Sequence, residues 1–333
     1  MSHRITMADV AREAEVSVMT VSRVVNGKDG ISITTRQRVQ EIIDRLGYRP
    51  STLARSLVTD RTGTVGLVVI DNSNPYFSEV ARGVEHVAYA EGYNVFLCNT
   101  EEDPQRELRI LQSLSDKHVD GVILCSSRLD DADLHSALAA HSHAVLVNRP
   151  SGTTEIGEML LDDAYGGYLA TKHLIASGHR AIGYLAGPTQ SFSGAQRGTG
   201  YRQALTEAGI PLRPEWEQAC LPVVENGTEK TLELLSDHPE LSALFCYNDL
   251  VAVGALKACQ QLGRRIPDEL AIIGFDDIPL SALVNPSLTT CWSPKYELGS
   301  QAMELLLARI NGCTDDCTNV IFQPELVIRE SAP

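Results

Sequence analysis

No run of apolar residues in this 333-residue sequence approaches the roughly 20 that a membrane helix needs. Met1 to Asp9 lacks the apolar core of a secretory leader, so the expectation is a cytoplasmic protein with no membrane partner. Also missing are a Gly-rich phosphate loop, a Gly-x-Ser-x-Gly elbow and paired histidines at metal spacing; the nine histidines are dispersed. Neither an enzyme nor a cofactor is expected. Of eight cysteines only Cys313 and Cys317 lie close, in Cys-Thr-Asp-Asp-Cys, with no histidine or second pair to complete a metal site. Several of the others end or follow apolar strands, where a reduced thiol behaves as a small hydrophobe.

Positive charge is scarce too. The net charge is -15, which on its face disfavours nucleic acid. Its distribution reverses that for one segment. Residues 1–61 carry 10 Lys/Arg against 7 Asp/Glu, a balance of +3, and the remainder carries 18 against 36. Only the N-terminal segment is compatible with phosphate contact, and +3 is modest enough that affinity needs two copies and falls steeply with salt.

That segment reads as three short helices. Thr6 can cap the first, with Asp9 in the capping-box position. After a turn at Ala14-Glu15-Val16, Ser17 caps a second pattern whose Val21, Val24 and Val25 face inward, leaving Val18, Met19, Thr20, Ser22 and Arg23 outward. Slim side chains at a helix start with one long bidentate donor further along suit a major groove. Ser32 caps a third pattern with Val39, Ile42, Ile43 and Leu46 at helical spacing, ended by Gly47. From Arg49 to Gly63 the composition turns to Ser, Thr and Arg, and Leu53 and Leu57 share one face of a helix too short to be stable alone.

Beyond this, apolar strands at 65–70, 93–98, 121–125, 144–147, 158–161, 181–185, 242–245 and 270–275 alternate with helical patterns such as 77–91, 105–118, 164–177 and 250–262. That alternation predicts parallel sheets covered on both faces, in an α/β body of two doubly wound lobes. Just past the strand ends stand Asp71, Asn99, Ser126, Asn148, Asp162, Gly187, Asn248 and Asp276. Ligands of such sheets sit there, although Asn and Asp after strands also make ordinary turns. Aromatic faces could come from Tyr76, Phe77, Phe192, Tyr247 or Trp292, and a small polar ligand with an apolar face, a sugar or a nucleobase, would suit the cleft. Tyr89, Tyr93 and Phe96 are read as core, and His179-Arg180 as shaping a turn.

Asp9-Val10-Ala11, Val16-Ser17, Thr20-Val21-Ser22-Arg23-Val24-Val25-Asn26, Leu46-Gly47-Tyr48 and Arg49-Pro50-Ser51 resemble the DNA-binding head of the LacI/GalR transcriptional regulators. In the body Val119-Asp120-Gly121, Gly178-His179-Arg180, Arg197-Gly198-Thr199-Gly200-Tyr201, Asn248-Asp249, Ile273-Gly274-Phe275-Asp276-Asp277 and Pro286-Ser287-Leu288-Thr289-Thr290 are similar to the family's effector domain. Glu15 departs from the pattern, since many members carry Gly in that turn; a left-handed Glu would cost about 1 kcal/mol.

The resemblance implies a helix-turn-helix head at 1–49, a hinge helix at 50–61 and a periplasmic-binding-protein-like body at 62–333. The N-lobe would take about 62–163 and 292–322, the C-lobe about 164–291 and 323–333. It implies a homodimer on the double-stranded DNA of a pseudo-palindromic operator, acting by default as a repressor. Val18 and Met19 would make apolar contacts, Arg23 would read a base edge, and Thr6, Ser17, Thr20, Ser22, Asn26, Ser32 and Thr35 would hold phosphates. In the hinge, Leu57 would wedge between base pairs with Ala54 against the minor groove. A small effector would meet Tyr76, Phe77, Asn148, Ser191, Ser193, Arg197, Asn248 and Asp276. Members that take a purine carry a ligand-binding arginine where this chain has Ser191 and a stacking phenylalanine where it has Pro222, which favours a sugar or sugar derivative. A purine-type or protein co-effector, and a solute-binding protein, are the alternatives.

Overall fold

Hydroxyl caps build the N-terminal region. The structure is a computed structural model describing residues 5–48, 61–153, 156–313 and 319–333, so Ala54 and Leu57 lie outside the described residues. Thr6 caps α1 (Met7–Glu13) reciprocally: Asp9 N donates to Thr6 Oγ1 at 3.3 Å, and Thr6 N to Asp9 Oδ2 at 3.0 Å. Ser17 caps α2 (Val18–Val25) and Ser32 caps α3 (Ile33–Leu46), each accepting from the backbone N–H three residues on. Glu15 keeps a left-handed turn between α1 and α2 at φ 49°, and Gly47 ends α3 at φ 65°. Val10, Val21, Val24, Val39, Ile42, Ile43 and Tyr48 close the core; Val25 is only half-buried. The chain divides into two compact units at Thr62/Gly63.

The second unit runs β1 (Thr64–Val69), α4 (Pro75–Ala90), β2 (Asn94–Asn99), α5 (Pro104–Asp116), β3 (Gly121–Cys125), α6 (Asp131–Leu138), β4 (Ala144–Val147) and β5 (Gly157–Leu161). It continues with α7 (Asp163–Ala176), β6 (Ile182–Ala186), α8 (Phe192–Glu207), β7 (Glu217–Ala219), α9 (Val224–Asp237), β8 (Ala243–Cys246), α10 (Asp249–Leu262) and β9 (Ala271–Asp276). Last come β10 (Thr289–Trp292), α11 (Lys295–Ile310), β11 (Val320–Phe322) and β12 (Glu325–Val327).

These strands form two six-stranded sheets, ordered β11-β5-β4-β3-β1-β2 and β12-β10-β9-β8-β6-β7. Every pairing is parallel except β10 with β12. The chain passes from the first sheet to the second after β5, returns through α11 to β11, and crosses again to β12. Central strands such as β3, β4, β8 and β9 are buried throughout, as continuous apolar runs in parallel sheets require.

The edge strand β2 differs. Phe96 is 45% and Leu97 42% exposed, and Tyr89 on α4 is 79% exposed, so the expected core cluster is surface instead. Among the described strands β2 pairs only with β1 and so ends its sheet; of Tyr89, Tyr93 and Phe96, Tyr93 alone packs partly against the core.

One close contact positions the site. A Cβ on Gly167 of α7 would lie 2.1 Å from the Arg197 carbonyl oxygen, and one on Gly200 of α8 would lie 1.9 Å from that of Ala164. Glycine at both positions lets the two helix backbones touch, which brings Asp163 at the start of α7 against Arg197 on α8.

Candidate functional site

The head presents its polar groups outward. Met19 is 70% and Val18 48% exposed at the start of α2, with Arg23 exposed on the same helix. Ser17 Oγ and Thr20 Oγ1 are 2.9 Å apart, and Ser32 Oγ and Thr35 Oγ1 2.8 Å. Thr6 Oγ1 donates to Asp9 at 2.6 Å, while Asn26 Nδ2 donates to the Ser22 carbonyl at 2.8 Å. Each hydroxyl thus sits at a helix N-terminus, where backbone N–H groups and the helix dipole favour a phosphate. The fold brings Ser17, Val18, Met19, Thr20, Ser22 and Arg23 onto one short helix and its cap.

In the second unit a cavity of about 360 Å³, including the part open to solvent, lies between the lobes. Asn74, Tyr76, Phe77, Glu102, Ser126, Arg128 and Asn148 line it from the first lobe; Ser193, Arg197, Pro222, Tyr247, Asn248 and Asp276 line it from the second. All lie at or beyond the carboxyl ends of strands, Asp276 being the last residue of β9. Glu102, Ser126, Asn148 and Asp276 hold φ of 59°, 55°, 56° and 100°. Four non-glycine residues in left-handed backbone at one cavity mark a place where aiming a side chain outweighs local strain.

Arg197 is the centre of the charge arrangement. Its Nε donates to Asp163 Oδ1 at 2.8 Å and its Nη1 to the Tyr247 carbonyl at 2.5 Å, while Nη2 lies 3.6 Å from Asp276 Oδ1. The guanidinium carbon sits 3.6 Å from the Phe275 ring centroid. Burial works against the arginine's charge, but the two carboxylates more than restore it and raise its pKa. Burial raises Asp163, with Arg197 pulling it back, and lifts Asp276 to about 6 against the opposing charges of Arg197 and Lys295.

On the facing wall Asn148 Nδ2 donates to Tyr76 Oη at 2.6 Å, leaving Asn148 Oδ1 buried without a partner. Burial, then the charge of Asp276, raises the Tyr76 pKa well above its usual value, so it remains a neutral phenol. Tyr76 and Phe77 meet edge to face at 5.0 Å and form the apolar side of the cavity. An unpaired acceptor, a carboxylate and two guanidiniums against an aromatic wall can take a small molecule with several hydroxyls and one apolar face.

Seven of the eight effector residues named from sequence line this cavity: Tyr76, Phe77, Asn148, Ser193, Arg197, Asn248 and Asp276. Ser191 stands behind the wall, where it caps α8 by accepting from Gly194 N at 3.1 Å and meets Tyr247 Oη at 3.0 Å. Phe192 and Trp292 are not among the lining residues; Phe192 instead stacks on Arg149. Sequence reasoning did not reach Asn74, Glu102 and Arg128 as lining residues, or Asp163 as the partner of Arg197. For Arg128 the signal was near: it lies three residues past the end of β3, where the reading stopped at Ser126. No group of acidic, histidine or cysteine side chains suited to a metal occurs among the described residues.

Residues 62–330 match the family model described as "Periplasmic binding proteins and sugar binding domain of LacI family", and residues 6–51 match "Bacterial regulatory proteins, lacI family". The ribose operon repressor of Haemophilus influenzae is 40% identical over 329 residues, with 98% of each chain covered. The transcriptional repressor PurR of Mannheimia succiniciproducens is 38% identical, again over 98% of each chain. Among solved structures, the lac repressor dimer bound to operator and an anti-inducer superimposes with a TM-score of 0.88 at 28% identity, covering 99% of both chains. With both units matched and relatives similar along nearly its whole length, the chain belongs to the LacI family and is a DNA-binding transcriptional regulator.

Proposed function

We propose that this regulator is a homodimeric, cytoplasmic repressor whose hold on a pseudo-palindromic operator is set by a sugar or sugar derivative in the cleft, without catalysis. The observation that carries the reading is the buried, unpaired Asn148 Oδ1 facing Arg197 and Asp276, since such an acceptor calls for a donor from a bound molecule. Arg23 reads a base edge, guanine by geometry of its fork; Val18 and Met19 make apolar base contacts; Thr6, Ser17, Thr20, Ser22, Asn26, Ser32 and Thr35 hold phosphates. The ribose operon repressor at 40% identity supports the sugar class. Pro222 in the lining offers no aromatic face to stack a purine.

The exposed Phe96 and Leu97, with the half-buried Ile110 beside them, are the apolar surface we assign to the second copy; the similar lac repressor structure is itself a dimer. A ligand shifts operator affinity only if it binds one lobe arrangement better than the other. The test is operator titration of the full chain, with duplexes selected from a random pool, in the presence of candidate sugars. Asp276→Ala should remove the response to the active sugar; an unchanged response would take Asp276 out of the effector site.

A further inference from the structure

Arg128 is the second guanidinium of the cleft, and sequence reasoning assigned it no role. Its side chain is 4% exposed and locked: Nε and Nη2 donate to the two oxygens of Glu102 at 2.5 and 3.0 Å, and Nη1 to the Ser126 carbonyl at 2.9 Å. Glu102 reaches this position through two successive left-handed residues, Glu101 at φ 55° and Glu102 at φ 59°. A second carboxylate lies behind the same loop. Glu107, 1% exposed, accepts from Arg128 N at 3.0 Å and from Ser127 Oγ.

Arg197 is held in the same way, between Asp163 and Asp276. Each guanidinium is therefore already engaged, Arg128 by both oxygens of Glu102 and Arg197 by two carboxylates. The nearby Lys295 ammonium is engaged too, donating to the backbone carbonyls of Asp276, Asp277 and Ser293. A phosphate entering this cavity would add a negative group with no spare cation in a poorly solvated space. Hydroxyls meet no such obstacle: they can donate to Asn148 Oδ1 and Asp276 and accept from the remaining guanidinium hydrogens. The enclosed part of the cavity is small, which favours one sugar ring over two.

We propose that the Arg128–Glu102 pair is a charge filter: with its arginine neutralised, the cleft admits an uncharged single-ring polyol and rejects its phosphate ester. This rests on the reading of the cleft as the effector site. Glu102 is thereby a specificity-determining residue.

The experiment uses the full-length protein, thermal unfolding and calorimetric titration. The probes are neutral pentoses and hexoses, their phosphate esters, disaccharides and purines. At about a hundred times its Kd a bound neutral sugar should raise Tm by about 2 °C or more, with no rise from its ester. Glu102→Gln, isosteric and uncharged, should lower the ratio of ester Kd to free-sugar Kd by about tenfold or more; Glu102→Asp, which keeps the charge, should retain most of the discrimination. An ester, disaccharide or purine that binds the wild type in place of any neutral sugar overturns the filter, as does a ratio unmoved by Glu102→Gln or silence across the neutral sugars. Asp276→Asn separates the two claims. A ligand lost in that variant lies in the cleft whatever its charge, whereas one that binds it undiminished lies elsewhere and contradicts the effector-site reading itself.

Discussion

The two units of this chain place their working groups in opposite environments. The head's are exposed, on the outer side of a core of small aliphatics, with Met19 70% exposed at the start of α2. The body's are buried and already paired, Arg197 and Asp163 with side chains 5% and 2% exposed. In the head a side chain can change with little consequence for folding, because it contacts chiefly solvent and a partner. In the body the charges that line the cleft also hold the lobe together, so on the proposed reading recognition and stability are not separable.

The strongest test of that contrast is Arg197→Met. Removing the cation leaves Asp163 and Asp276 buried without compensation, and the body should lose about 3–5 kcal/mol in denaturant unfolding. An almost unchanged midpoint would mean the pair is more solvated than its burial shows. Arg23→Ala in the head should leave stability within about 0.5 kcal/mol and weaken binding by about 1–3 kcal/mol at one operator position, relaxing specificity there. Uniform weakening over all sequences would make Arg23 a phosphate contact. Smaller again is Ser17→Ala, which removes the N-cap of α2 and should cost the head about 1 kcal/mol in thermal unfolding.

The last prediction concerns pH. Asp276, lifted to about 6 by burial, has a folded pKa above its unfolded one, so the native state binds more protons between the two. Its contribution to stability is therefore present at low pH and lost as pH rises through about 6. Effector affinity should run the other way, weakening below about pH 6 as the ionised acceptor disappears. Asp276→Asn should flatten that profile in titrations at pH 5 to 8.

Much of the fold was legible because it follows from local rules. Ser17 and Ser32 announce helix starts, and short apolar runs such as Val122 to Cys125, bounded by turn residues and alternating with helical patterns, read as buried strands. The exposure of Phe96 on β2 is not legible locally, because burial there depends on which strand ends the sheet, a property of topology and not of the residues. In the cleft, the rule that ligands sit past strand ends reached Asn148, Asn248 and Asp276. It did not reach the Glu102–Arg128 fork, whose members are 26 residues apart on two loops, or Asp163 beneath Arg197, which depends on the glycine contact between α7 and α8. Ser191 looked like a ligand contact but is a helix cap, the commoner use of serine at that position.

The most direct test of the whole account is the affinity of the full-length protein for its neutral sugar, measured by titration with and without saturating operator DNA. If cleft and head are coupled, DNA must change the sugar's Kd by the same factor by which the sugar changes operator affinity. Equal, reciprocal factors different from one are the expected result; a sugar Kd identical with and without operator would contradict it.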